Sequence, residues 1–127
     1  MRITLVGNEL GFGSSIQSAL HVGGIEAQLK VFQDPDEGLK HIISNKTDLI
    51  VLDSTAVSWN VVNFLEIIKS NAKVPVLVVS VRRDASVIYR ALESGAADYI
   101  VKPISQLELL ARLKAIMRKA KNRLHLF

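Results

Sequence analysis

Asp48-Leu49-Ile50-Val51-Leu52-Asp53 decides the fold: four consecutive branched aliphatic side chains stand between two carboxylates. Neighbours along a strand point to opposite faces of a sheet, so an unbroken apolar run predicts burial on both sides. Working outward, Val74–Val79 repeats the pattern downstream and Ile3–Val6 upstream, while Ala27–Phe32 and Tyr99–Val101 bring the runs to five. The stretches between them carry apolar residues at helical spacing. Ile16, Leu20 and Val22 mark the first; Leu39, Ile42 and Ile43 the second; Val61, Phe64, Leu65, Ile67 and Ile68 the third. Val87, Ile88, Ala91 and Leu92 mark the fourth, ending at Gly95; Leu107, Leu110, Ala111, Ile116 and Met117 mark the fifth. Asp34-Pro35-Asp36-Glu37 reads as an N-cap with proline at the first helical position, and Ser105-Gln106-Leu107-Glu108 as a capping box. Alternation of this kind predicts an α/β fold: a doubly wound, five-stranded parallel sheet with helices on both faces.

The 127 residues suffice for one domain. Cysteine is absent, which excludes a disulfide framework and a thiolate metal site. No apolar run is long enough to cross a bilayer, and the short run after Arg2 ends at Gly7 and Asn8 without forming a signal peptide. A cytoplasmic protein with no membrane partner is the expectation. The formal charge of +4 is unevenly placed. Residues 1–111 hold ten basic and all twelve acidic side chains, whereas Arg112, Lys114, Arg118, Lys119, Lys121 and Arg123 follow without an acid. Such a stripe can meet nucleic acid. The dipole at a helix C-terminus also favours cations, and a solvated helix face is the reading adopted.

Open parallel sheets bind ligands beyond the carboxyl ends of their strands. Those ends carry Gly7-Asn8-Glu9, Asp53, Ser80 and Lys102-Pro103. A carboxylate, a hydroxyl and an ammonium converging there suit phosphoryl chemistry: the carboxylate as nucleophile, the other two as donors to phosphoryl oxygens. With no other obvious partner, Asp53 and Lys102 are also expected to pair at rest.

Asp48–Asp53, Val76-Leu77-Val78-Val79-Ser80 and Gly95-Ala96-Ala97-Asp98-Tyr99-Ile100-Val101-Lys102-Pro103 resemble the response-regulator receiver family of two-component systems. The last segment, continued through Leu107-Glu108-Leu109-Leu110-Ala111-Arg112, is similar to the OmpR/PhoB-type winged-helix regulators. The resemblance implies a flavodoxin-like sheet of strand order 2-1-3-4-5, with Asp53 as the phosphoacceptor, Ser80 the switch hydroxyl, Tyr99 the rotating aromatic and Lys102 the family's lysine, before a proline held cis. It implies a histidine kinase as phosphodonor and DNA contact only through an output domain. The domain would span residues 1–122, and 123–127 a tail or the start of a linker. No enzymatic activity of its own is expected.

The departures bear on the metal. The family places two acids after its first strand to hold Mg²⁺, where this chain has Gly7 and Asn8. Asn8, Glu9, Asp53 and Thr55 remain as a set from which a weak or lost Mg²⁺ site is expected, because Mg²⁺ favours anionic oxygens. Val81 follows Ser80 where the family has a small residue. A phosphorylation-independent pseudo-receiver, acting as an interaction or dimerisation module, is therefore the main alternative. The resemblance further implies a homodimer through the fourth helix, fifth strand and fifth helix, with Ile88, Asp98, Glu108 and Arg112 at the interface. A flavin or nucleotide binder is a weaker alternative. Gly11-Phe12-Gly13 follows a strand, but Ile16 stands where a third glycine belongs and no lysine follows. Trp59 reads as a surface loop anchor, and His21, His41 and His125 lack metal-ligand spacing.

Overall fold

The computed structural model describes residues 1–7, 9–55 and 60–125, with side chains through Ala120 except that of Leu10. The strands are β1 (Arg2–Val6), β2 (Gln28–Phe32), β3 (Leu49–Asp53), β4 (Val76–Ser80) and β5 (Asp98–Val101). The helices are α1 (Phe12–Val22), α2 (Pro35–Ser44), α3 (Val61–Asn71), α4 (Ala85–Glu93) and α5 (Gln106–His125), with a 3-10 turn at Glu9–Gly11. The strands pair in parallel in the order β2-β1-β3-β4-β5, as expected from the sequence.

Alternation along the strands builds two cores. Leu5, Leu49, Val51, Leu77 and Val79 face α1 and α5. Val6, Ile50, Leu52, Val76 and Val78 face the other side, with Phe64, Leu65 and Ile68 of α3. Every residue of β3 and β4 is buried, which is why their sequences read as unbroken apolar runs. Edge strand β2 has no fully buried residue and carries Gln28 and Lys30.

Local signals act as read. Asp34 Oδ1 accepts from the amide of Asp36, with Pro35 at the first helical position. Ser105 Oγ accepts from the amide of Glu108. α4 ends at Glu93, and Gly95 follows at φ +113, a conformation that glycine adopts without a Cβ penalty. Strand bounds differ from the expected ones by one or two residues, as ladder pairing extends β1 back to Arg2 and β3 to Asp53.

Several helix faces need correction. Val22, Ile43, Leu92 and Leu107 are exposed, although each sits within an apolar pattern. In α5 the buried stripe is Leu109, Leu110, Leu113 and Ile116, packed with the α1 core, and Leu107 turns outward. Leucines at 107, 109, 110 and 113 permit more than one stripe, and contact with α1 selects among them.

Candidate functional site

Asp53 is the last residue of β3, Ser80 the last of β4, and Lys102 follows β5 immediately. The parallel register therefore brings all three to one end of the sheet. The amide of Lys102 donates to Ser80 O at 2.8 Å, continuing the ladder, and the Lys102–Pro103 peptide is cis. The Asp53 side chain is fully buried. Its Oδ2 accepts from Lys102 Nζ at 2.8 Å and from the Glu9 amide at 3.1 Å. Its Oδ1 accepts from the Thr55 amide at 3.1 Å. Lys102 Nζ also stands 4.4 Å from the centre of the Phe12 ring, within cation–π range. The carboxylate is thus charge-paired and hydrogen-bonded on both oxygens, as burial of an ion requires.

A second small network lies beside the first. Ser80 Oγ accepts from the amide of Arg82 at 3.1 Å. The Tyr99 hydroxyl donates to the Arg82 carbonyl at 3.0 Å. One peptide-bearing residue, Arg82, therefore joins Ser80 to Tyr99 through both of its backbone polar groups. Tyr99 itself is half-buried and packs against the core on the α3 side.

A profile of the response regulator receiver domain matches residues 3–114. The chain belongs to the response regulator receiver family. PrrA of Mycobacterium tuberculosis is 33% identical over 119 residues, covering 93% of this chain and 50% of that protein. The response regulator ArlR of Staphylococcus saprophyticus is 30% identical over 118 residues, covering 93% of this chain and 53% of the relative. The receiver chain thus spans about half the length of these relatives. Among solved structures, a two-component response regulator from Clostridium difficile is similar at 26% identity and a TM-score of 0.80, covering 94% of this chain and 98% of that one. Receivers of this family act in phosphorelay signalling, and PrrA is named as a transcriptional regulatory protein.

Against the family's Mg²⁺ requirement, the described residues of this receiver fit poorly. Gly7 adopts φ +82, and a Cβ built there would stand 2.2 Å from the backbone oxygen of Asp53. Its amide donates to Phe32 O at 2.7 Å, which fixes the peptide in place. No side chain, acidic or otherwise, can stand at position 7 without moving β1 or β3. Asn8 lies outside the described residues. Glu9 reaches Asp53 Oδ2 through its backbone amide, a donor that would compete with a cation for that oxygen. Thr55 likewise turns its amide to Asp53, and its buried Oγ1 has no hydrogen-bond partner among the described residues. A single neutral hydroxyl does not replace two carboxylates in an octahedral shell. Among the described residues, no group of three His, Cys, Asp or Glu side chains could hold a metal.

The residues expected at a dimer interface lie on α4, β5 and α5. Asp98 Oδ2 accepts from Arg112 Nη1 of the same chain at 3.0 Å, and both side chains remain partly exposed. Glu108 is exposed in the first turn of α5. Ile88 is only half-exposed; the exposed apolar side chains of α4 are Tyr89 and Leu92. Trp59 lies outside the described residues. Gly11, at φ +70, turns the chain into helix α1, which begins at Phe12 and buries Gly13 in its first turn.

Sequence reasoning missed three participants. Phe12 was read only as part of a glycine-rich turn, yet it packs on Lys102. Arg82 contributes through its backbone, which its side-chain type does not reveal. Gly7 was read as a lost acid, whereas its backbone lies against that of Asp53. The only sequence signal for the last was a glycine immediately after a buried strand.

Proposed function

We propose that this receiver signals without metal-assisted phosphorylation, as a pseudo-receiver whose output face is set permanently. The observation that carries this reading is the closure around Asp53: Lys102 and two backbone amides occupy both carboxylate oxygens. In this reading Asp53 is a structural anion and Lys102 its counter-ion. Ser80 and Tyr99, joined through Arg82, hold the fourth helix and fifth strand in one arrangement.

The module forms a homodimer through α4, β5 and α5, with Ile88, Asp98, Glu108 and Arg112 at or near the contact. The Asp98–Arg112 pair contributes little by itself because it is partly exposed, so the apolar side chains decide affinity. Residues 1–122 constitute the receiver and 123–127 open toward an output domain of the winged-helix type, through which a cytoplasmic regulator would contact DNA. The convergence of Asp53, Ser80 and Lys102 favours a second reading, in which a histidine kinase phosphorylates Asp53 and the other two grip the phosphoryl oxygens.

Sedimentation at micromolar concentration separates the two. The proposed module is a dimer with or without Mg²⁺ and acetyl phosphate, and Ile88→Arg and Arg112→Glu each weaken it. A monomer that dimerises only with the phosphodonor would establish the second reading instead.

A further inference from the structure

The helix α4 covers the sheet incompletely. Only Ala91 of its nine residues is buried. Its sheet-facing positions, Val87 and Ala91, are four apart and both small, so they form a shallow stripe. Opposite them stand Val61 and Val62 at the start of α3 and Val78 on β4, again without a large side chain. These small residues leave a cavity of about 250 Å³ between α3, β4 and α4, closed on one side by Tyr99.

The three hydroxyls that line it are already used. Ser54 Oγ donates to Val79 O, Ser80 Oγ accepts from the Arg82 amide, and the Tyr99 hydroxyl donates to the Arg82 carbonyl. The interior therefore suits an apolar body. Its charged lining is of one sign: Arg82 and Arg90 border the cavity, and no lining residue is acidic. Arg82 is held loosely by Asp84 at 3.5 Å, with both side chains more than half exposed. Arg90 forms no ion pair among the described residues. A planar guanidinium without a counter-ion, at the mouth of an apolar pocket, matches a carboxylate in two parallel hydrogen bonds.

We infer that the cavity beneath α4 binds a small organic acid, its branched or aromatic body among Val61, Val78, Val87 and Ala91 and its carboxylate on Arg90. The volume lies just below the roughly 300–1,000 Å³ of usual ligand sites, which excludes a nucleotide. Tyr99 lines the same cavity, so an occupant touches the aromatic ring whose hydroxyl holds Arg82. The site does not include Asp53 or Lys102.

An amide-resolved NMR titration of the whole chain tests it, with benzoate, phenylacetate, isovalerate and 4-methyl-2-oxopentanoate as probes. At least one acid should give saturable shifts at Val61, Val87, Ala91 and Tyr99. Its neutral amide should bind about tenfold more weakly, the loss expected of one charge-assisted hydrogen bond. Arg90→Met keeps the aliphatic stem at an exposed position and should weaken the acid by a similar factor. Val87→Phe should fill the cavity and abolish the shifts while the remaining spectrum stays that of the folded chain. The inference is overturned if no acid saturates up to millimolar concentrations, or if the shifts fall on Arg112 and Lys114 of α5 instead. Equal binding of inorganic phosphate, of the neutral amide, or by Arg90→Met also overturns it.

Discussion

The carboxyl end of β3 and the underside of α4 are neighbouring parts of one molecule with opposite characters. At the end of β3 a buried carboxylate has every oxygen engaged, and the backbone of Gly7 leaves no room for even a Cβ. Beneath α4, small side chains leave a gap and Arg90 has no acidic partner among the described residues. Where receivers of this family carry their chemistry, this chain is closed. Closure at the first region follows from charge satisfaction, and openness at the second from the volumes of Val87 and Ala91.

The largest effect should come from breaking the closed region. Lys102→Ala leaves Asp53 buried without a counter-ion, which costs on the order of 3–5 kcal/mol in urea unfolding. Asp53→Ala should cost a similar amount by stranding Lys102, whose side chain is only 14% exposed. A loss below about 1 kcal/mol in both would mean that the pair behaves as a solvated surface bridge.

Gly7 comes next. Alanine there adopts an unfavourable positive φ, at roughly 1–2 kcal/mol, and its Cβ presses on the Asp53 carbonyl, adding about 1–3 kcal/mol of overpacking. Gly7→Asp with Asn8→Asp should therefore destabilise the fold and bind Mg²⁺ no better than the parent in a titration. Recovery of ordinary receiver affinity would contradict the closure.

The runs at Leu49–Asp53 and Val76–Ser80, and the caps at Asp34 and Ser105, were legible because each depends on neighbours along the chain. Asp53, Ser80 and Lys102 were legible as strand ends, since a parallel sheet gathers its carboxyl ends on one side. Gly7 was not, because its constraint is a carbonyl 46 residues away. Phe12 on Lys102 and the Arg82 link are likewise long-range or backbone contacts. In α5 the pattern offered two stripes, and only packing on α1 chose Leu109 and Leu113 over Leu107.

Tyr99→Phe sharpens the comparison at the border between the two regions. It removes one partly exposed hydrogen bond to Arg82, worth about 0.5–1.5 kcal/mol. The amide signals of Arg82 and Ser80 should move while those of Gly7 and Glu9 stay put. Shifts throughout the Asp53 cluster would mean that the two networks are one.

The smallest effect lies outside both regions and serves as a control. His41, whose ring centre lies 4.9 Å from that of Phe32 at a tilt of 36°, has its pKa lowered by burial and by the charge of Lys30. The fold therefore prefers the neutral ring. Its contribution is complete above the unfolded histidine value of about 6.5 and is lost as pH falls below that through the lower folded value. Stability should decline slightly from pH 7 toward 5, and His41→Gln should flatten that slope without altering the response of Asp53 or Lys102 variants.

The most direct measurement is the intact mass of the chain after incubation with Mg²⁺ and acetyl phosphate, quenched at intervals. A closed, metal-free strand end predicts no mass gain of one phosphoryl group, with Asp53→Asn indistinguishable from the parent. Rapid, stoichiometric gain of one phosphoryl group that disappears in Asp53→Asn would contradict it.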